Sequence, residues 1–132
     1  MLTKLGVVTI LVRDQDEALQ FYTEKLGLEK MDDLAFGDDR WLTVTAPQQK
    51  ELQIFLAKAD SFGMDLTDHV GRAPSWAFST DDCRATYETL KARGVKFLSE
   101  PEEKPWGIQA VLEDLYGNKF SIVEEPPAQE SA

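Results

Sequence analysis

The residues able to do chemistry are few. The chain has a single histidine, His69, and a single cysteine, Cys83. A centre built on two imidazoles from one chain is therefore excluded, and so is a Cys/His zinc site, which needs more such ligands than exist here. One cysteine cannot close an internal disulfide, which fits a cytoplasmic chain. Cys83 follows Asp81-Asp82 at an expected helix start, where a thiol can lose its proton more easily. With no histidine near it in sequence, an ordinary half-buried cysteine is the expectation. His69 stands in a long connection and could serve as a base only if that segment covered a pocket. A solvated loop histidine is expected instead. The acidic pairs Asp38-Asp39, Asp81-Asp82 and Glu124-Glu125 read as turn, cap and strand-end residues. There is no phosphate-cradling glycine loop and no nucleophile motif. Chemistry of recognition is left to the aromatic residues, among them Trp41, Trp76 and Trp106.

The elements that position these residues come from composition and periodicity. The chain has 132 residues, 42% of them apolar, enough for one domain or two half-size modules with a real core. A net charge of −10 argues against sequence-independent nucleic-acid binding and against an anionic membrane surface. No apolar run is long enough for a membrane span, and Met1 to Lys4 leads straight into a strand-like pattern, so no signal peptide is expected.

Lys4 to Val12 is β-branched and apolar and predicts a buried strand. Asp14, with Glu17 three residues on, predicts a helix start. Ala18, Leu19, Tyr22 and Leu26 recur at helical spacing, and Gly27 ends the run. Strands are expected at Leu28 to Leu34, Trp41 to Ala46 and Glu51 to Ala57, with turns at Gly37 to Asp39 and Pro47 to Gln49. The second half repeats that order. Ser75 to Ser79 predicts a strand, and Asp81-Asp82 starts a helix bearing Ala85, Tyr87 and Leu90 that Gly94 ends. Further strands are expected at Val95 to Leu98, Ile108 to Glu113 and Lys119 to Val123, with Glu100 to Pro105 as a charged loop. Asp14 to Gly27 and Asp81 to Gly94 are the same thirteen-residue step. The expectation is a duplicated unit: a module over 1–58, a linker or lid over 59–74, a second module over 75–125, and a disordered tail over 126–132.

In this order the motifs resemble those of the vicinal oxygen chelate superfamily of glyoxalases, extradiol dioxygenases and bleomycin-resistance-type binding proteins. They are Leu11-Val12-Arg13-Asp14 with Phe21-Tyr22 and Leu26-Gly27-Leu28, Leu90 to Val95, Pro105-Trp106-Gly107, and Asp114 with Gly117-Asn118. The resemblance covers about Leu5 to Glu124; Leu115 departs from it, since relatives often carry proline there. It implies an α+β fold of two tandem βαβββ modules. Each would be a curled mixed sheet with its helix on the convex side, and the modules would pair in a homodimer, domain-swapped or not, to close a cup around the ligand.

Strand alternation then assigns faces. Val8, Ile10, Val12, Leu42, Val44, Leu52, Ile54, Leu56, Trp76, Phe78, Phe120 and Ile122 are expected in the core. The cup is expected to be lined by Thr9, Trp41, Thr43, Gln53, Phe55, Ser75, Ser79, Gln109 and Ser121, with Phe36 and Trp106 adding stacking surface. Metal-dependent relatives carry a His, Gln or Glu ligand on the first, fourth, fifth and eighth strands. Carried over, those places are Val7, Gln53, Ser75 and Ser121. Valine cannot ligate and serine is a poor ligand for a transition metal, so no metal, cofactor or catalytic residue is expected. A neutral, partly aromatic cup suits a flat, largely apolar ligand. The expected function is metal-independent sequestration of a hydrophobic, aromatic natural product or antibiotic between protomers, conferring resistance. The alternative is a glyoxalase-like lyase or isomerase, or a dioxygenase-like enzyme, acting on a small organic substrate through a base such as His69 or Glu51.

Overall fold

The computed structural model describes residues 1–126. The chain divides into two units, Met1–Ala73 and the part from Pro74 onward. The first unit holds β1 (Val7–Val12), α1 (Gln15–Gln20), β2 (Glu29–Phe36), β3 (Asp39–Ala46) and β4 (Gln49–Lys58). Its strands form one four-stranded sheet in the order β1-β4-β3-β2. The second holds β5 (Ala77–Ser79), α2 (Cys83–Ala92), β6 (Lys96–Lys104), β7 (Gly107–Glu113) and β8 (Lys119–Glu124), in the order β5-β8-β7-β6. In each sheet the first strand runs parallel to the last, and the other pairs are antiparallel. Each unit is therefore βαβββ, and the chain is α+β, as the duplicated order predicts. The expected tail falls, from residue 127, outside the described residues.

The helix starts are set by aspartates. Asp14 accepts a hydrogen bond from the Glu17 N–H at 3.0 Å, and Asp82 accepts one from the Ala85 N–H at 3.0 Å. Each satisfies a backbone donor that the first turn would otherwise leave open. The end of the first helix differs from the single α-helix the spacing predicts. After Gln20 the chain opens into a π-helical turn, Phe21–Lys25, with the Leu26 N–H bonded to the Phe21 carbonyl at 3.2 Å. The wider turn lets two neighbouring aromatics share the inward face. Phe21 and Tyr22 are both buried and meet edge to face, 5.3 Å apart.

That helix covers one face of the first sheet. Ile10, Val12, Leu42, Val44 and Leu56 are fully buried there, with Ile54 nearly so. Arg40 ties the same elements together: it grips Asp33 with two bonds, at 2.8 and 2.9 Å, and Asp16 at 2.7 Å. In the second sheet Ala110, Leu112, Phe120, Ile122, Tyr87 and Leu90 make the core. Trp76, expected in the core, is half-buried and packs on Phe120 at 5.1 Å.

The charged loop expected over Glu100 to Pro105 is instead mostly strand, for β6 runs to Lys104. Pro101 is tolerated because β6 is an edge strand and the ladder shifts between Ser99 and Glu102, so the missing N–H costs no regular bond. A tight turn at Pro105-Trp106 then reverses the chain into Gly107. That glycine has φ 135°, and a Cβ there would overlap the Glu124 carbonyl.

Two predictions follow from these contacts. Gly107→Ala should cost about 1–3 kcal/mol of strain, read as a lowered urea midpoint. Gly37→Asn, at a left-handed position with open space around it, should cost far less; equal losses would mean the Glu124 backbone is not the obstacle. Arg40 holds the Asp33 carboxyl below the usual carboxylate range. That stabilisation is complete above the unfolded value, about pH 4, and is lost as pH falls through the lower folded value. Asp33→Asn should flatten the acid limb of stability against pH, and an unchanged limb would refute this.

Candidate functional site

The helix seals one face of the first sheet and leaves the other open. Val7 lies opposite Gln53, and Thr9 opposite Phe55, across the parallel β1–β4 pair. Thr43 lies opposite Phe55 across β3–β4. Trp41, two residues before Thr43, stacks on Phe55 with ring centres 4.3 Å apart and planes tilted by 33°. The structure thus brings Thr9, Trp41, Thr43, Gln53 and Phe55 onto one face. Phe36 reaches it through Phe62, whose ring is 6.4 Å from Phe36 and 6.1 Å from Phe55. Phe36 is 55% exposed and Phe62 43%, so the cluster offers aromatic surface to solvent.

Polar groups lock this face. The Asp32 carboxylate accepts from the Trp41 indole N–H at 3.2 Å, and the Asp32 backbone N–H donates to the Thr43 hydroxyl at 3.0 Å. Thr43 Oγ1 lies 2.7 Å from Gln53 Oε1. Thr43 is completely buried.

Two members escape sequence reasoning. Asp32 sits on β2 where the ladder shifts between Lys30 and Asp33, which breaks the alternation that would have placed it. Phe62 lies in the expected linker. That segment belongs with the first unit as far as Ala73, and the Leu66 N–H bonds the Ala59 carbonyl at 2.7 Å. Phe62 has a left-handed backbone, φ 54°, followed by Gly63 at 77°. The Phe-Gly pair was the one available signal. His69 is exposed on a short 3₁₀ turn, Thr67–His69.

In the second unit the corresponding face carries small side chains. Ser121 lies opposite Ala77 and Val111, and Gln109 opposite Val123. Trp106 is 54% exposed, and its indole N–H donates to Gln109 Oε1 at 2.9 Å. Ser75 is exposed and precedes β5. Ala77 is the residue paired with Ser121, and β5 begins two residues later than the Ser75 start expected.

These positions do not fit a metal. Val7, Ala77 and Ser121 offer no competent ligand, and Gln53 Oε1, the atom that could bind one, is engaged by Thr43. Among the described residues no three His, Cys, Asp or Glu side chains are grouped to hold an ion. No helix among them is long and apolar enough to cross a membrane.

Comparison with known proteins bears on the same fold. The family model described as Glyoxalase/Bleomycin resistance protein/Dioxygenase superfamily matches residues 4–122. The chain is similar to the crystal structure of UcmS2, with 38% identity and a TM-score of 0.84, covering 93% of this chain and 98% of that one. It is similar to TnmS3, an antibiotic binding protein from Streptomyces sp. CB03234, with 26% identity and a TM-score of 0.81, over 95% and 98% of the two chains. An uncharacterized Bacillus subtilis (strain 168) protein, YurT, is 34% identical over 128 residues, 92% of this chain and 99% of YurT.

Cys83 lies outside these faces. It is fully buried, and its N–H is bound by Glu124 at 2.9 Å. Burial first, and the Glu124 charge second, push its thiol pKa up, the reverse of an activated nucleophile. Cys83 should therefore resist a disulfide reagent at pH 8 in the folded protein and react promptly in urea. Fast labelling without denaturant would contradict this environment.

Proposed function

As the chain belongs to the Glyoxalase/Bleomycin resistance protein/Dioxygenase superfamily, we propose that it is a metal-independent binding protein. It would sequester a hydrophobic, aromatic natural product or antibiotic and so confer resistance. The superfamily holds both antibiotic-binding proteins and glyoxalase-type enzymes. The observation that carries the binding reading is the aromatic face on which exposed Phe36 and Phe62 join half-buried Trp41 and Phe55. It is backed by a hydrogen-bonded network of Asp32, Thr43 and Gln53, while the places a metal would need read Val7, Gln53, Ser75 and Ser121, with Ala77 opposite Ser121. The likeness to TnmS3, an antibiotic binding protein, supports the same reading.

Magnitudes set what such a face can do. Covering one side of a three-ring aromatic removes about 200 Å² of apolar surface, worth about 5 kcal/mol before the cost of association. Micromolar binding needs about 8 kcal/mol. Covering the ligand's second side would about double the gross term, and a second protomer in a homodimer is the cover proposed.

The test is a tryptophan-fluorescence titration of chelator-treated protein against flat polycyclic antibiotics, a bleomycin-type glycopeptide and aliphatic electrophiles. Saturable quenching near one ligand per chain, with the compound recovered intact, is expected for the flat aromatics. Trp41→Ala should weaken it about tenfold or more. Chemical conversion of the compound, or binding that appears only when metal is restored, would hand the function to an enzyme instead.

A further inference from the structure

Gln53 is half-buried on the open face of the first sheet, one strand step from Phe55. Its amide can be oriented by counting hydrogens. A threonine hydroxyl has one proton to give and two lone pairs to fill. At Thr43 one lone pair takes the Asp32 N–H. The hydroxyl proton must then find an acceptor, because Thr43 is wholly buried. Gln53 Oε1 at 2.7 Å provides it. Were the amide reversed, its NH₂ would face the hydroxyl and the buried proton would be left without an acceptor, which is costly. The oxygen is therefore held against Thr43. The NH₂ is turned away with two protons to donate, and no acceptor takes them among the described residues.

Gln53 and Phe55 alternate on the same face at about 7 Å spacing. A ring stacked on the Trp41–Phe55 tier has its edge within reach of that amide. The Trp41 N–H offers no competing donor, since Asp32 already accepts it. Across the strand from Gln53 stands Val7, which is apolar.

We propose that Gln53 is a specificity-determining residue, that its amide N–H groups select planar aromatic ligands bearing a carbonyl-type acceptor oxygen at the ring edge, and that Thr43 is the residue positioning it. The inference rests on the binding reading above and deepens it by naming a ligand class.

Fluorenone and fluorene test it directly, because they share one flat skeleton and differ by a carbonyl in place of a methylene. The wild-type protein should bind fluorenone about tenfold more tightly than fluorene, equivalent to about 1.4 kcal/mol. Gln53→Glu keeps an acceptor for the Thr43 hydroxyl and removes the donors. It should bring the two affinities within about twofold. Thr43→Val frees the amide to turn and should shrink the preference without abolishing fluorene binding. Trp41→Ala should weaken both compounds alike. Equal binding of the two compounds by the wild type, or a preference that survives Gln53→Glu, overturns this inference and leaves the binding reading standing. Binding of neither compound overturns both.

Discussion

One helix packed against one face of each sheet ties the register of every strand to the alternation of its side chains. On the first sheet that face takes Ile10 and Val12 from β1, Leu42 and Val44 from β3, and Ile54 and Leu56 from β4. A slip of one residue would exchange them for Thr9, Thr43 and Gln53. Each large aliphatic side chain so exposed would forfeit about 1.5–3 kcal/mol. The composition of the opposite face is thereby freed from the demands of the core. It can carry a stacked Trp41–Phe55 pair and a hydrogen-bonded amide without disturbing what holds the sheet together.

The two units use that freedom differently. The first concentrates aromatic rings and a polar network running Asp32, Trp41, Thr43 and Gln53. The second presents Ala77, Val111, Ser121 and Val123, with Trp106 held at its hairpin by Gln109. A repeated fold has taken on unequal loads. The residues that seal each unit recur in type, while the residues on the open faces do not. Val7, Ala77 and Ser121 are apolar or small, and the Gln53 amide oxygen is turned to a threonine. These side chains are uncharged, and an uncharged side chain adds no charge-desolvation cost to the burial of an apolar ring.

Much of this was legible in the chain because it is written in short-range patterns. Asp14 and Asp82 announce helix starts through a bond made three residues away. Gly27 and Gly94 end the helical segments in left-handed conformations, and period-two runs separate the buried Ile10 and Leu42 from Thr9 and Trp41. The thirteen-residue step from cap to glycine, repeated once, exposed the duplication. None of these signals needs knowledge of which strand lies beside which.

The remainder depended on contacts between residues far apart. Whether Phe21 and Tyr22 both turn inward is decided by a π turn that pays off only against a formed core. Asp32 joins the site because β2 is bulged against β3, and a bulge is a property of the pair. The strand through Pro101 exists because β7 is there to pair with it. Phe62 reaches Phe55 because the segment after β4 folds back on its own sheet. The sequence alone determined the elements, their order and the faces they bury, since caps and alternation act within a few residues. Only the tertiary structure decided which open-face residues meet, since bulges, pairing offsets and loop paths are settled by the balance of long-range hydrogen bonds and burial.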